Sequence, residues 1–498
     1  QRVDWVALAP VLAPAVAIVV ILLIDAFGPR RAGLRRVHDA VALLGLAGAG
    51  AAVTRLAVAG TVRQTLCVPG TGAEPGACTY TASPLTLTLQ VLVLVGAVIA
   101  VLLSLDGAAA ADRTPHHLLL LTAVVGALAL AGARDLATLV IALETASLPA
   151  IGLVALRRDT PGAQAGVTLL LTAVGSLGLL LLGVGMLLLA TGSLHLSRVA
   201  AVLGDPDLDA GARTVAVLGV LLAAAGMAFK LSAVPFHLWT PDTYAGAPMP
   251  VAAFLAAVSK TAGLAALVVL LLVGAPGLAD MWAPVIAVVA GLTITVGNLV
   301  ALRQTVAIRL LAWSTVAQAG WVILPLAGAW RADAEGVRAA ASASVGYLAA
   351  YLVATLAAFS VVVVLARRHP TGEEHSLQAY RGLARTKPVA AAVLGLALLA
   401  LAGLPPGVVG LVAKVVALRP VVDAGIWPLA LVAAVNVALG IAYYLRWAAL
   451  LVAAPEGATP RWRVSAAEGL ALGSSAVAVV VLSVAPQLFA GLLPGLLR

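Results

Sequence analysis

The stretch MAFKLSAVPFHLWTPDTYAGAPMPVAAFLAAVSKTAGLAAL, residues 227–267, sets two lysines, four prolines, His237 and Asp242 into largely apolar sequence. Pro235 cannot donate a backbone hydrogen bond, so the helix that carries Lys230 is predicted to break about one turn beyond the lysine. Such a break frees carbonyl groups, which together with water can partner a buried ammonium, and transporters place ion sites where helices are interrupted. Lys260 lies ten residues past Pro250, roughly 15 Å into its helix at 1.5 Å per residue, near the middle of a bilayer. A charge at that depth costs at least ~2.5 kcal/mol, so each lysine is a functional candidate.

The rest of the chain has the composition of a membrane protein. Of 498 residues, 62% are hydrophobic and only 10% charged, and the mean hydropathy is +1.09. A soluble domain carries roughly a quarter charged residues, so a soluble fold is excluded. Apolar runs of about 20 residues recur from Trp5 almost to the C-terminus, each long enough to cross ~30 Å of hydrocarbon as a helix. They are apolar all round, as in Leu177–Ala190, whereas barrel strands alternate. The reading is therefore all-α and polytopic, with about fourteen transmembrane helices, the first over 5–27 and the last over 465–494. Four blocks are expected: three N-terminal helices over 1–116, two repeats over 117–275 and 280–452, and a C-terminal helix in 453–498.

The net charge of +9 does not point to nucleic acid, because the arginines sit in short loops and not on one face. The loops after odd-numbered spans, with their flanking helix ends, hold 17 Lys and Arg residues, and the other loops and tails hold 10. The positive-inside bias then places both termini outside a bacterial cell membrane. The segment 5–27 is too long for a signal-peptide core and lacks a small-residue cleavage motif, so it is read as a span. Cys67 and Cys78 share the first outward loop, CVPGTGAEPGAC, where a disulfide is expected; a pair of free thiols is the alternative. No P-loop, dinucleotide fingerprint or metal-ligand spacing of Cys and His occurs. The chain itself is thus expected to hold no cofactor and no metal.

Two more charges lie at membrane depth. Glu144 falls near the middle of the span between Arg134 and Arg157, too deep for its short side chain to reach water at either surface. Lys414 follows the Pro405–Pro406 pair in GLPPGVVGLVAK, so the device of a broken helix beside a lysine occurs twice, once in each half of the chain. That suggests an inverted repeat. A packing role for such residues, as ion pairs between helices, is the plain alternative. It needs matched charges, yet the set holds three lysines and one glutamate. Burial disfavours an ammonium and a nearby carboxylate restores it, so a lysine whose partner can move away is a switchable proton carrier. His237 is a candidate relay or a structural hydrogen-bonding residue at the break. Arg309 reads as an interfacial anchor, and Trp239, Trp313 and Trp321 as interface or packing aromatics.

FKLSAVPFHLWTPDTYAGAP (229–248) with VAAFLAAVSKTAGLAAL (251–267) resembles the N subunit of respiratory complex I, NADH:quinone oxidoreductase, the relative of mitochondrial subunit 2. Weaker similarity runs through ARDLATLVIALETASLPAIGLVAL (133–156) and NLVALRQTVAIRLLAWSTVAQAGW (298–321) to Lys414. The sister subunits L and M and the Mrp antiporters share the Lys-x-x-x-x-Pro-x-His-x-Trp-x-Pro-Asp theme, but Ser232 and the TPDTYAGAP tail fit subunit N better. The resemblance implies antiporter-like inverted five-helix repeats, each with one broken helix. Glu144 and Lys230 would be the charge pair of the first half-channel, Lys260 the central proton site and Lys414 the site of the second. It implies NADH, flavin, iron–sulfur clusters and quinone on partner subunits, and as neighbours the antiporter-like subunit M, small membrane subunits and lipids. Departures are plain as well. A lysine frequent in the family's sixth span is here Val167 or Thr168, one usually before Arg309 is Ile308, and a histidine of the tenth span is Gln318. The Pro-Pro to Lys414 spacing is one residue longer than usual.

The function expected is proton translocation along a buried Glu/Lys axis, driven by quinone reduction elsewhere in the complex. The rivals are an Mrp-type cation/proton antiporter subunit, which would want more oxygen ligands than Glu144 offers, and a non-pumping membrane scaffold.

Overall fold

The computed structural model describes residues 3–28, 34–70, 76–106, 113–367, 376–455 and 464–488. Among them are thirteen helices long and apolar enough to span a bilayer, from Trp5–Phe27 to Ala466–Val484. Two shorter consecutive helices, Pro388–Ala402 and Val408–Asp423, occupy the remaining stretch of the fourteen expected. Both interrupted crossings stop for local reasons. Ala210–Leu231 ends at Ser232, whose φ of 64° is left-handed, and the chain resumes as Trp239–Gly246 after Pro235. Pro388–Ala402 ends at Gly403, at φ 83°, a conformation glycine adopts without a Cβ penalty, ahead of Pro405–Pro406. Each break contains a cis peptide bond, Val234–Pro235 in one and Pro405–Pro406 in the other.

Burial sorts the helices into layers. In the crossings Met249–Gly274, Ala307–Ala329 and Ala334–Ala366, 89%, 94% and 89% of the most apolar stretch is buried, against 28% for Trp5–Phe27 and 22% for Thr160–Thr191. The first three are therefore the axis of the bundle, and the last two present broad apolar faces outward. Small residues let the backbones close in, as expected where hydrocarbon gives no hydrophobic drive between helices. A methyl group on Gly126 would sit 2.3 Å from the backbone nitrogen of Ala146, beside Glu144, and one on Gly297 would sit 2.4 Å from that of Ala317.

The helix that carries Lys260 is irregular, with π-helical segments at Leu255–Ser259 and Val269–Gly274 on either side of the α-helical Lys260–Val268. Such segments widen the backbone hydrogen-bonding step and change which carbonyls face outward. The sequence reading also contained no strands, yet Arg63–Val68 and Ala77–Ala82 form an antiparallel hairpin in which Cys67 lies opposite Cys78. The two are joined as a disulfide. Asp4 caps Trp5–Phe27 and pairs with Arg63 at 2.8 Å, tying the hairpin to the first helix. At the other end of the bundle, Arg367 pairs with the buried Glu468 at 3.0 Å, joining the long helix Ala334–Ala366 to Ala466–Val484.

Candidate functional site

Lys230, Lys260 and Lys414 are all buried, none more than 6% exposed. Lys230 occupies the last turn of Ala210–Leu231, and Gly263 lets the Lys260 helix come so near that a methyl there would lie 3.0 Å from the Lys230 Cβ. That approach brings Lys260 onto the break. Its Nζ donates to the Lys230 carbonyl oxygen at 3.4 Å and to the Ser232 hydroxyl, and it stands 4.7 Å from the centre of the Trp239 ring. Ser232 and Thr240 are hydrogen-bonded across the break, and the Trp239 indole N–H donates to the Phe229 carbonyl at 2.9 Å. The left-handed turn thus converts one helix-end carbonyl and one hydroxyl into a cradle for the lysine head group. Glu144, half-buried on Leu136–Ala155, is within electrostatic reach of Lys230, although no N···O distance of 4 Å or less joins them.

The second break is built differently. The Lys414 Nζ donates to the carbonyls of Leu401 and Ala402, at 3.0 and 2.6 Å, the last two residues of the preceding half-helix. Its other neighbour is the ring of Trp321 at 5.8 Å, which stacks on Tyr347. No carboxylate lies within ion-pair distance of it among the described residues.

Between the two breaks runs a set of neutral polar groups. Tyr351 donates to the Ala256 carbonyl at 3.3 Å, inside the π-segment one turn before Lys260, and to Thr315 at 3.1 Å. Gln318, one turn along from Thr315, accepts from the Tyr347 hydroxyl and donates to the hydroxyl of Tyr444 at 3.2 Å. Its amide also reaches the Leu401 carbonyl at 3.5 Å, the oxygen that Lys414 uses. Tyr444 is hydrogen-bonded to Ser314, and Tyr443 donates at 3.0 Å to Asn298, which in turn donates to Asn436 at 3.0 Å.

The sequence candidates therefore divide. The Lys260 side chain reaches the backbone of Lys230, Glu144 is within electrostatic reach of Lys230, and Lys414 is separate. His237 is buried 5.4 Å from the Trp313 ring, its Nδ1 unpartnered among the described residues, and no hydrogen bond joins it to the four charged side chains. Arg309 pairs with Asp242 at 3.2 Å. Both residues line an open cleft of about 710 Å³ with Gln164, Val167 and Thr168, beside the second half-helix of the first break. Trp239 and Trp321 are buried against lysines, and so belong to the packing side of the alternative read for them.

Sequence reasoning missed the tyrosines. All seven of the chain's tyrosines are buried, Tyr244, Tyr347, Tyr351, Tyr443 and Tyr444 among the helices of the bundle, whereas tyrosine in membrane proteins gathers at the interface. Tyr347 and Tyr351, four residues apart deep in a 33-residue helix, carried that signal.

Residues 133–440 match the family model described as NADH:quinone oxidoreductase/Mrp antiporter, transmembrane. NADH-quinone oxidoreductase subunit N 2 of Streptomyces griseus is 46% identical over 466 residues, covering 92% of this chain and 84% of that protein. A chain of respiratory complex I from Thermus thermophilus superposes with a TM-score of 0.76 at 29% identity, over 98% of this chain and 99% of that one. A chain of the Mrp complex from Dietzia shares the fold, with a TM-score of 0.82 at 21% identity over 98% and 96% of the two chains.

Proposed function

The chain belongs to the NADH-quinone oxidoreductase subunit N family, and on that premise we propose that it translocates protons as a membrane subunit of such a complex. Electron transfer to quinone belongs to neighbouring polypeptides, and this chain contributes no redox group. The observation that carries the reading is the first break, where Lys260 rests on the backbone of Lys230 and on Ser232 with Glu144 in electrostatic reach.

Redox chemistry in the neighbours shifts charge or conformation at the subunit boundary and moves Glu144 relative to Lys230. With the carboxylate near, an ammonium at Lys230 is favoured; with it distant, burial disfavours that ammonium and its proton moves to Lys260. The cradle of carbonyl, hydroxyl and indole face receives it without any carboxylate. From there the proton passes to Lys414 and is released on the far side. The positive-inside bias sets the Arg-rich loops in the cytoplasm and both termini outside, so the cleft beside Asp242 and Arg309 opens to the cytoplasm and serves uptake.

Subunit M and small membrane subunits are the proposed neighbours, and the outer apolar faces meet them or lipid. The Mrp-type reading shares the fold, but a sodium ion wants oxygen ligands, and the central position is taken by an ammonium side chain. Lys260→Ala in the complex reconstituted into liposomes abolishes this chain's share of proton pumping on this account. Full pumping by that variant overturns it.

A further inference from the structure

The space between the two breaks contains one feature that the four charged residues leave unused. A cavity of about 10 Å³ is lined by Gln318, Tyr347, Tyr351, Ala354, Leu401 and Gly410, among others. That is about the room of a single water molecule, and a water needs two to four polar partners to stay. Three polar side chains line this one. They also belong to opposite sides: Tyr351 is anchored one turn before Lys260, and Gln318 shares the Leu401 carbonyl with Lys414.

Gln318 is the junction of the group. Its carbonyl oxygen takes the Tyr347 hydroxyl, and its amide serves Tyr444 and Leu401, so both ends of a side chain 4% exposed are engaged. A glutamine cannot titrate, so it cannot itself store the proton. What it does is fix where two hydroxyls and a helix-end carbonyl stand around the cavity.

We propose that Gln318 is a positioning residue that holds Tyr347 and Leu401 around a one-water cavity, and that a water there carries the proton between the Lys260 and Lys414 sides. The inference rests on the reading that protons pass between those two lysines. In the net step an N–H bond of the Lys260 ammonium breaks and one forms on the Lys414 amine, while the water between them gains one O–H bond on the Tyr351 side and gives up another of its own on the Leu401 side. Only O–H and N–H bonds are exchanged, and the water is regenerated. The path is narrow, so filling the cavity with carbon closes it.

The test measures protons pumped per electron pair, a ratio independent of turnover rate, in liposomes with the intact complex. Gln318→Leu, which removes both hydrogen-bonding ends, is expected to lower the ratio to the value of Lys260→Ala, and Ala354→Val, which occupies the cavity, to do the same. Gln318→Glu, a protonated near-isostere that can still accept from Tyr347 and donate to Tyr444, is expected to keep the parent ratio. If Gln318→Leu fails to assemble, Ala354→Val and Gln318→Glu decide. Unchanged ratios in Gln318→Leu or Ala354→Val, with the Lys260→Ala ratio lowered, overturn this inference alone. An unchanged ratio in Lys260→Ala overturns the proton-axis reading beneath it.

Discussion

The two interrupted crossings solve one problem in different ways. Each places a lysine beside a break, yet Lys230 has no hydrogen bond to its Nζ from any described residue and faces a carboxylate at a distance, whereas Lys414 is held by two carbonyls and no carboxylate. The first arrangement depends on where a separate helix puts Glu144, and so can be switched. The second is fixed by its own half-helix, whose carbonyl dipoles accept from either an ammonium or a neutral amine. On the proposed proton-transfer reading, one break would respond and the other hold, which suits a proton that is driven at one end and handed on at the other.

That contrast is most exposed to substitution at the lysines. Lys414→Met keeps the length of the side chain but leaves the Ala402 carbonyl without its donor and the Leu401 carbonyl with only the Gln318 amide at 3.5 Å. A buried polar group left unsatisfied costs about 1–3 kcal/mol. The variant should lose this chain's share of proton pumping and also unfold several degrees lower, read by thermal melting of the purified complex. Lys230→Met should lose pumping as fully while its melting temperature stays close to the parent's, because no hydrogen bond to the Nζ is removed. Equal melting losses for both would erase the distinction between the breaks. Ser232→Ala is expected to be milder, lowering that share several-fold, since Lys260 keeps the Lys230 carbonyl and the Trp239 ring.

Away from both breaks, effects should fall on stability alone. Replacing Cys67 by serine opens an 11-residue loop, worth about 2–3 kcal/mol in the chain-entropy account, and should loosen the hairpin to proteolysis with pumping unchanged. The smallest effect concerns Asp4. Its carboxyl is held below the usual carboxylate range, chiefly by the hydrogen bond from Arg63 and against a raising effect of burial. A depressed carboxylate stabilises above its unfolded value and loses that contribution as pH falls through the folded one. Acid melting curves of Asp4→Asn and the parent should therefore be separated slightly above about pH 4 and draw together as the pH falls further below it.

What the sequence disclosed follows from the same physics. Continuous apolar runs have one reading in a bilayer, and a proline or a Gly-Pro-Pro neighbourhood interrupts them visibly, so the crossings and both breaks were legible. Charges such as Glu144 and Lys260 announce themselves by cost alone. The hairpin at Arg63–Val68 was not legible, because its short strands sit in a loop rich in glycine and proline. Nor was the Gln318 network, whose partner Tyr444 is 126 residues away. Neutral side chains carry no insertion penalty large enough to mark them, and only their depth set the tyrosines apart.

The most direct test separates the two sides of the membrane in a single turnover. With pH indicators inside and outside liposomes holding the oriented complex, one pulse of quinone reduction is followed in Lys230→Met and Lys414→Met. The account predicts that Lys230→Met loses this chain's share of proton uptake, and that Lys414→Met keeps the uptake but loses the matching release. Uptake and release that both equal the parent's in either variant would contradict it.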